Sequence, residues 1–148
     1  MSFPDSAASA RLRLSPGHGV GVTEEMIRSL VHAFYAKVRA DPELGPIFQR
    51  AITDWTPHLA RMCDFWSSVM LMSGRYHGTP MQAHAAQPAI RSAHFQRWLA
   101  LFGETAGEVC PLQAATLFID RAQRIAESLE VGIAVHRGEL PPLHTSGD

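Results

Sequence analysis

The residue with the most specific chemistry in this chain is His84, which lies on a short segment between Pro80 and Pro88. Seven residues cannot stabilise a helix on their own, so this segment needs a partner that holds it in place. A metal bound through the imidazole is one candidate, because a single histidine commonly holds haem iron. The small neighbours Ala83 and Ala85 would let a flat macrocycle approach the backbone. Without such a group, a lone histidine here would be a surface or packing residue.

Three further rings with polar tips, Tyr35, His58 and Trp98, lie on or beside the apolar faces of longer helical patterns. A buried hydroxyl or ring N–H needs a hydrogen-bond partner. The ordinary partner is a backbone carbonyl, and His58 could equally be a solvated residue at the start of a helix. The alternative partner is a ligand bound at haem, whose partial negative charge favours donors. A hydrogen bond to a charged acceptor contributes roughly 1.5–3 kcal/mol, which is enough to control ligand release.

The remaining histidines carry weaker signals. His32 falls on the outer side of the first helical pattern, whereas His94 precedes Trp98 by one turn and could face either a cofactor or solvent. A metal site built from histidines alone would need a third imidazole beside His58 and His84. The outward position of His32 counts against such a site.

The apolar spacing predicts four long helices, which must position these side chains. Thr23 is expected to cap the first, and Pro42 to end it. Residues 43–48 are expected to form a compact turn. Thr53 or Asp54 is expected to cap the second helix, since Pro57 is tolerated only in a first turn.

Along the second helix the outer face is predicted to carry Arg61 and Ser67. The third helix is predicted from about Ser92 to residues 106–107, and Pro111 is expected to open the fourth. No alternating pattern typical of strands occurs, so the fold class predicted from the sequence is all-α.

Bulk properties narrow the classes of protein. A chain of 148 residues is expected to form one domain, at 21–133, with a flexible arm at 1–20 and a tail at 134–148. A net charge of −1 favours neither nucleic acid nor a membrane surface. No stretch is long and apolar enough for a membrane span or a signal peptide. The isolated Cys63 and Cys110 are expected to be reduced and buried, which favours the cytoplasm.

An ordered set of short motifs, spread over residues 22–133, resembles the third group of truncated haemoglobins. No Gly-Gly pair occurs, and such pairs mark the other two groups. The matching residues are Phe34-Tyr35-Ala36-Lys37-Val38-Arg39 with Asp41, Leu44-Gly45-Pro46-Ile47-Phe48, Asp54-Trp55 with His58, Phe65-Trp66, Tyr76 with Gly78 and Pro80, His84, and Phe95 with Trp98-Leu99.

The resemblance implies a short globin-like fold, a two-over-two helical sandwich around haem b. His84 then matches the proximal iron ligand, and Phe48 the phenylalanine that wedges against the macrocycle. Tyr35, His58 and Trp98 match the distal polar residues, and Phe65 is expected to contact the cofactor. Pro57, directly before His58, departs from the family pattern and could turn His58 outward.

The resemblance also implies a function. We expect O₂, and also NO and CO, to bind at ferrous iron and to be held by the three distal donors. Slow release would favour redox chemistry, such as NO dioxygenase or peroxidase-like detoxification with an external electron donor, over O₂ transport. We expect a monomer or weak homo-oligomer. A haem-free helical domain that acts through protein contacts, or that binds a metal through histidines, remains the alternative.

Overall fold

The computed structural model describes residues 6–78, 90–136 and 138, and within these ranges the chain forms six α-helices and no strand. The helices are α1 (Ser6–Leu14), α2 (Glu24–Ala40), α3 (Leu44–Ala51), α4 (Trp55–Leu71), α5 (Ser92–Val109) and α6 (Leu112–His136), with a 3₁₀ turn at His18–Val20. The predicted all-α fold is confirmed. The four long helical patterns correspond to α2, α4, α5 and α6, whereas His84 lies outside the described residues.

The predicted helix starts are set by side-chain caps. The hydroxyl of Thr23 accepts a hydrogen bond from the backbone N–H of Met26 at 3.1 Å. Of the two candidates for α4, Asp54 is the cap, and its Oδ1 accepts from the N–H of Thr56 at 3.2 Å. Pro57 is the third residue of α4, where the missing N–H has no partner within the helix in any case. Helix α5 continues to Val109, slightly beyond its predicted end.

The segment expected to be a compact turn is instead the eight-residue helix α3. Its start is stabilised by Asp41, whose Oδ2 accepts from the N–H groups of Glu43 at 3.0 Å and Leu44 at 2.8 Å. A Cβ on Gly45 would lie 2.9 Å from the carbonyl oxygen of Arg39. Because glycine has no Cβ, α3 can pack directly against the end of α2.

Part of the segment expected to be a flexible arm is helical, and the residues that follow this helix are attached to the rest of the molecule. Helix α1 and the 3₁₀ turn cover most of residues 6–20, and the N–H of Gly17 donates to the carbonyl of Met70 at 2.7 Å. Ser15 and Val22, on either side, are buried. This contact attaches the chain before α2 to the end of α4. The limits of the domain remain a prediction.

Two pairs of helices form the body of the molecule. Helix α2 packs on α4 and α5, and α5 packs on α6. Between them lies a cluster of four buried rings, which we call the interior ring cluster: Phe34, Trp66, Phe102 and Phe118. Trp66 stacks on Phe102 with 5.0 Å between ring centroids, and Phe34 meets Phe102 edge-on at 5.2 Å. This arrangement is the predicted two-over-two sandwich.

Ser67 is fully buried rather than on the outer face of α4. Its hydroxyl donates to Glu24 at 2.7 Å and lies 2.8 Å from the hydroxyl of Ser73. Because these partners satisfy the hydroxyl, a polar residue is stable at this buried position. The contacts connect the start of α2 with the chain that leaves α4.

None of the helices in the described ranges is both long and apolar enough to cross a membrane. Cys63 and Cys110 are free cysteines, as predicted, and Cys110 is buried while Cys63 is half-buried. Burial raises the pKa of both thiols above its ordinary value, so both are held in the thiol form at neutral pH.

Candidate functional site

A cavity of about 490 Å³ lies among α2, α3, α4, α5 and α6. Small-molecule and cofactor sites usually occupy roughly 300–1,000 Å³ and are mostly apolar with a few polar groups. The cavity fits this description. Its aliphatic wall includes Leu44, Ile47, Met62, Ile90, Ile125 and Leu129.

The structure brings together five of the six site residues predicted from the sequence. Tyr35, Phe48, His58, Phe65 and Trp98 all line this one cavity, although they come from four different helices. The sixth, His84, lies outside the described residues. The placement is therefore established for five residues, while the role of each in binding remains a prediction.

Tyr35 lines the cavity and is buried, with 6% of its surface exposed. Its ring meets His58 edge-on at 5.1 Å between centroids and Phe48 at 6.0 Å. Burial raises the pKa of the Tyr35 phenol well above its ordinary value, because the charged form would be desolvated. The hydroxyl therefore stays protonated and can donate a hydrogen bond at every physiological pH.

His58 faces the cavity, so Pro57 does not turn it outward. Its half-buried ring contacts Tyr35, at 5.1 Å, and Trp55, at 5.5 Å, and both rings meet it nearly perpendicular. Tyr35 and Trp55 also contact each other at 5.9 Å, so the imidazole is one corner of a triangle of rings.

Trp98 connects the cavity with the interior of the protein. Its ring stacks on Phe102 at 5.4 Å with 9° between the planes and meets Phe34 edge-on at 5.4 Å. It is also half-buried and lines the cavity. Contacts with Phe34 and Phe102 of the interior ring cluster therefore fix the plane of the Trp98 ring.

His94, which the sequence left between cofactor and solvent, lines the cavity. Its Nδ1 accepts a hydrogen bond from the backbone N–H of Arg91 at 2.8 Å, which supports the first turn of α5. An imidazole whose Nδ1 accepts carries its proton on Nε2 when it is neutral. That nitrogen then has no lone pair for a metal, so His94 in this arrangement is a donor and not an iron ligand.

Arg61 was expected on the outer face of α4, but it lines the cavity. Its side chain is exposed, which places a permanent positive charge at the mouth. The spacing could have indicated this position, because Arg61 follows His58 by three residues and so shares its helix face. Tyr76 also lines the cavity and meets Phe65 edge-on at 5.1 Å.

Within the described ranges, no three His, Cys, Asp or Glu side chains are grouped closely enough to hold a metal ion. The cavity residues instead fit a flat, largely apolar cofactor. They offer aromatic and aliphatic walls, polar tips at Tyr35, His58 and Trp98, and a cation at the mouth.

Comparison with known proteins identifies the same class. The model of the bacterial-like globin family matches residues 18–127. Group 3 truncated hemoglobin ctb of Campylobacter jejuni is 35% identical over 113 residues, which cover 74% of this chain and 89% of that protein. The crystal structure of group III truncated hemoglobin from Campylobacter jejuni aligns with a TM-score of 0.70 at 36% identity, and covers 74% of this chain and 89% of that one.

The family match spans well over half of the chain, and the relative and the solved structure agree with it in both sequence and fold. Globins carry haem and use it to bind small diatomic gases. This chain belongs to the bacterial-like globin family, within which it is a truncated haemoglobin of the third group.

Proposed function

We propose that this protein holds haem b through His84 and binds O₂, NO or CO on the opposite side, where Tyr35, His58 and Trp98 act as hydrogen-bond donors. The observation that carries the proposal is that these three residues, which are far apart in sequence and each have a polar tip, line one largely apolar cavity. Apolar walls lower the local polarity, and donors in such surroundings interact more strongly with a polarised ligand than they do in water.

Each wall residue has a separate task in this proposal. Phe48 and Phe65 would pack against the macrocycle, and the exposed Arg61 would pair with its carboxylates. When bound, haem would supply the single electron with which O₂ and NO combine to nitrate. Tyr35 remains protonated throughout and donates to the ligand without transferring its proton.

Strong donation to the ligand favours slow release, which suits redox chemistry better than O₂ transport. We therefore propose NO or peroxide detoxification as the use of the site, with an external electron donor that restores ferrous iron. We propose that the protein acts in the cytoplasm as a monomer or weak homo-oligomer.

The test is an absorption spectrum of the purified protein, recorded as isolated, after dithionite, and after carbon monoxide. We expect a Soret band that shifts sharply when carbon monoxide is added. His84→Ala should lose haem, or lose the proximal-histidine spectrum, whereas His94→Ala should keep both. Absence of a Soret band after reconstitution with hemin would overturn the proposal, and unchanged haem content and spectrum in His84→Ala would overturn the assignment of the ligand.

A further inference from the structure

Trp55, the first residue of α4, is a half-buried ring next to the proposed ligand site. It is not among the described residues that line the cavity, but it contacts two residues that are. Its ring meets His58 at 5.5 Å with 86° between the planes, and Tyr35 at 5.9 Å with 57°. Movement of Trp55 would therefore remove one support of the His58 ring.

Tyr35, the second ring in contact with His58, has little freedom to move. Tyr35 is buried and packs edge-on against Phe34 at 5.0 Å, and Phe34 belongs to the interior ring cluster. Trp55, in contrast, is at the end of its helix and only partly covered. Of these two rings beside His58, Trp55 is thus the less constrained.

Trp55 is held in turn by Arg39 in the last turn of α2. The guanidinium carbon of Arg39 lies 4.5 Å from the centroid of the Trp55 ring, which is within the range of a cation–π contact. Arg39 is exposed, and the ion pairs found among the described residues do not include it. The contact joins the end of α2 to the start of α4, directly beside the site.

We propose that Arg39 and Trp55 form a clamp that keeps His58 over the ligand site, and that its release lets His58 swing aside and opens the site. This proposal rests on the proposed function, because it concerns the position of His58 relative to a bound ligand. Arg39 and Trp55 are positioning residues, since neither lines the cavity. An exposed cation–π contact is weak, which makes the clamp suitable for opening on the timescale of ligand binding.

The test compares Arg39→Met, which removes the charge but keeps the length of the side chain, with Arg39→Lys, which keeps a cation. Arg50→Met is the matched control, because Arg50 is also an exposed arginine in the last turn of a helix. Infrared spectra of the carbon monoxide complex separate molecules whose ligand accepts a hydrogen bond from those whose ligand does not. Flash photolysis gives the rate of carbon monoxide binding.

We expect Arg39→Met to raise the ratio of open to closed infrared bands by roughly two- to fivefold, as the loss of one exposed cation–π contact implies. Carbon monoxide binding should accelerate in parallel. Arg39→Lys should restore most of the wild-type ratio, and Arg50→Met should not change it. Trp55→Leu should produce a larger shift in the same direction, with circular dichroism to confirm that α4 is retained.

A His58→Leu background shows whether the clamp acts through His58. There, Arg39→Met should no longer alter the bands or the rate. The clamp is overturned if Arg39→Met binds haem fully and leaves the bands unchanged, or if its effect is equally large without His58. If the wild-type protein takes up no haem, the proposed function itself fails, and the missing Soret band distinguishes that result from a failure of the clamp.

Discussion

Two neighbouring groups of aromatic rings are built from similar contacts, but one fills the interior of the protein and the other lies at the cavity. The interior ring cluster is buried, and the indole N–H of Trp66 is its only side-chain group that needs a hydrogen-bond partner. The second group, which we call the cavity ring cluster, consists of Tyr35, Phe48, Trp55 and His58. The distances between contacting ring centroids are 5.0–6.4 Å in the interior ring cluster and 5.1–6.0 Å in the cavity ring cluster. The difference lies in exposure and in polar tips.

The boundary between the two clusters runs between consecutive residues. Phe34 enters the interior ring cluster and Tyr35 faces the cavity, although both are buried on α2. The two rings are turned about 100° apart around the helix, so each reaches a different side of the core. Trp98 contacts the first cluster through Phe34 and Phe102 and lines the cavity with its remaining surface. A buried interior thus orients a site whose outer members are only partly covered.

The largest expected effect tests whether the interior cluster is the main source of stability. Phe102→Ala removes a ring that contacts four other aromatic residues, and it should lower the free energy of unfolding by about 3–5 kcal/mol. Phe48→Ala, at a half-buried position of the cavity ring cluster, should lower it by clearly less. Denaturant unfolding of the haem-free proteins measures both. Equal losses would remove the distinction between the clusters.

The next effect tests the chemistry of the cavity ring cluster. Tyr35→Phe should accelerate O₂ dissociation roughly 10- to 150-fold, because it removes a hydrogen bond to a charged acceptor. The ring itself remains, so stability should change little. Tyr76→Phe is the control, since Tyr76 also lines the cavity but packs on Phe65 rather than beside His58. Stopped-flow measurement of the O₂ dissociation rate tests this prediction, and an unchanged rate in Tyr35→Phe would exclude the Tyr35 hydroxyl as a hydrogen-bond donor to the ligand.

The sequence predicted the four long helices because their apolar residues recur with helical spacing, and it predicted the caps because Thr23 and Asp54 precede the first turns. It did not predict α3, since Gly45 and Pro46 are typical of a turn. That helix is capped by Asp41, whose carboxylate accepts from the N–H groups two and three residues later. Apolar spacing therefore predicted the long helices, whereas the short helix begins at a local carboxylate cap that the neighbouring glycine and proline obscured.

Site residues were predictable where type and spacing agreed, and they were missed where a distant partner decided the outcome. Tyr35, His58 and Trp98 stood out as polar-tipped rings on apolar faces. Ser67 was placed outside because its partners, Glu24 and Ser73, are not apparent from periodicity. The contact of Arg39 with Trp55 joins two residues sixteen positions apart on different helices, so no pattern within one helix could reveal it.

An effect of similar or smaller size concerns the ion pair of Asp41 and Arg97, which lies next in sequence to Trp98, the residue that joins the interior cluster to the cavity. Oδ1 of Asp41 accepts from Nε of Arg97 at 2.9 Å and also from a terminal guanidinium nitrogen, and Arg97 precedes Trp98 on α5. Only 2% of the Asp41 side chain is exposed. Asp41→Asn should lower the free energy of unfolding at neutral pH by roughly 1.5–3 kcal/mol, because a charged acceptor becomes neutral.

The pH dependence of that loss separates charge from packing. The hydrogen bonds from Arg97 hold the pKa of Asp41 below its ordinary value of 3.8. A lowered folded-state pKa means that the stabilisation is present above about pH 4 and is lost as the pH falls through the folded-state pKa. The difference between wild type and Asp41→Asn should therefore be constant from pH 7 to 5 and should shrink in more acidic solution. A difference that persists undiminished there would point to packing alone.

The smallest effect uses the one feature that the interior cluster cannot share, a phenol that titrates. Burial raises the pKa of Tyr35 far above the unfolded value of 10.0, so the folded state binds this proton more tightly than the unfolded state. Stability is then fully present below pH 10 and falls as the pH rises beyond it. Between pH 9 and 10.5 the wild type should lose about 0.8 kcal/mol more than Tyr35→Phe. Denaturant unfolding of both haem-free proteins at the two pH values measures this difference, and parallel losses would mean that Tyr35 reaches solvent in the folded protein.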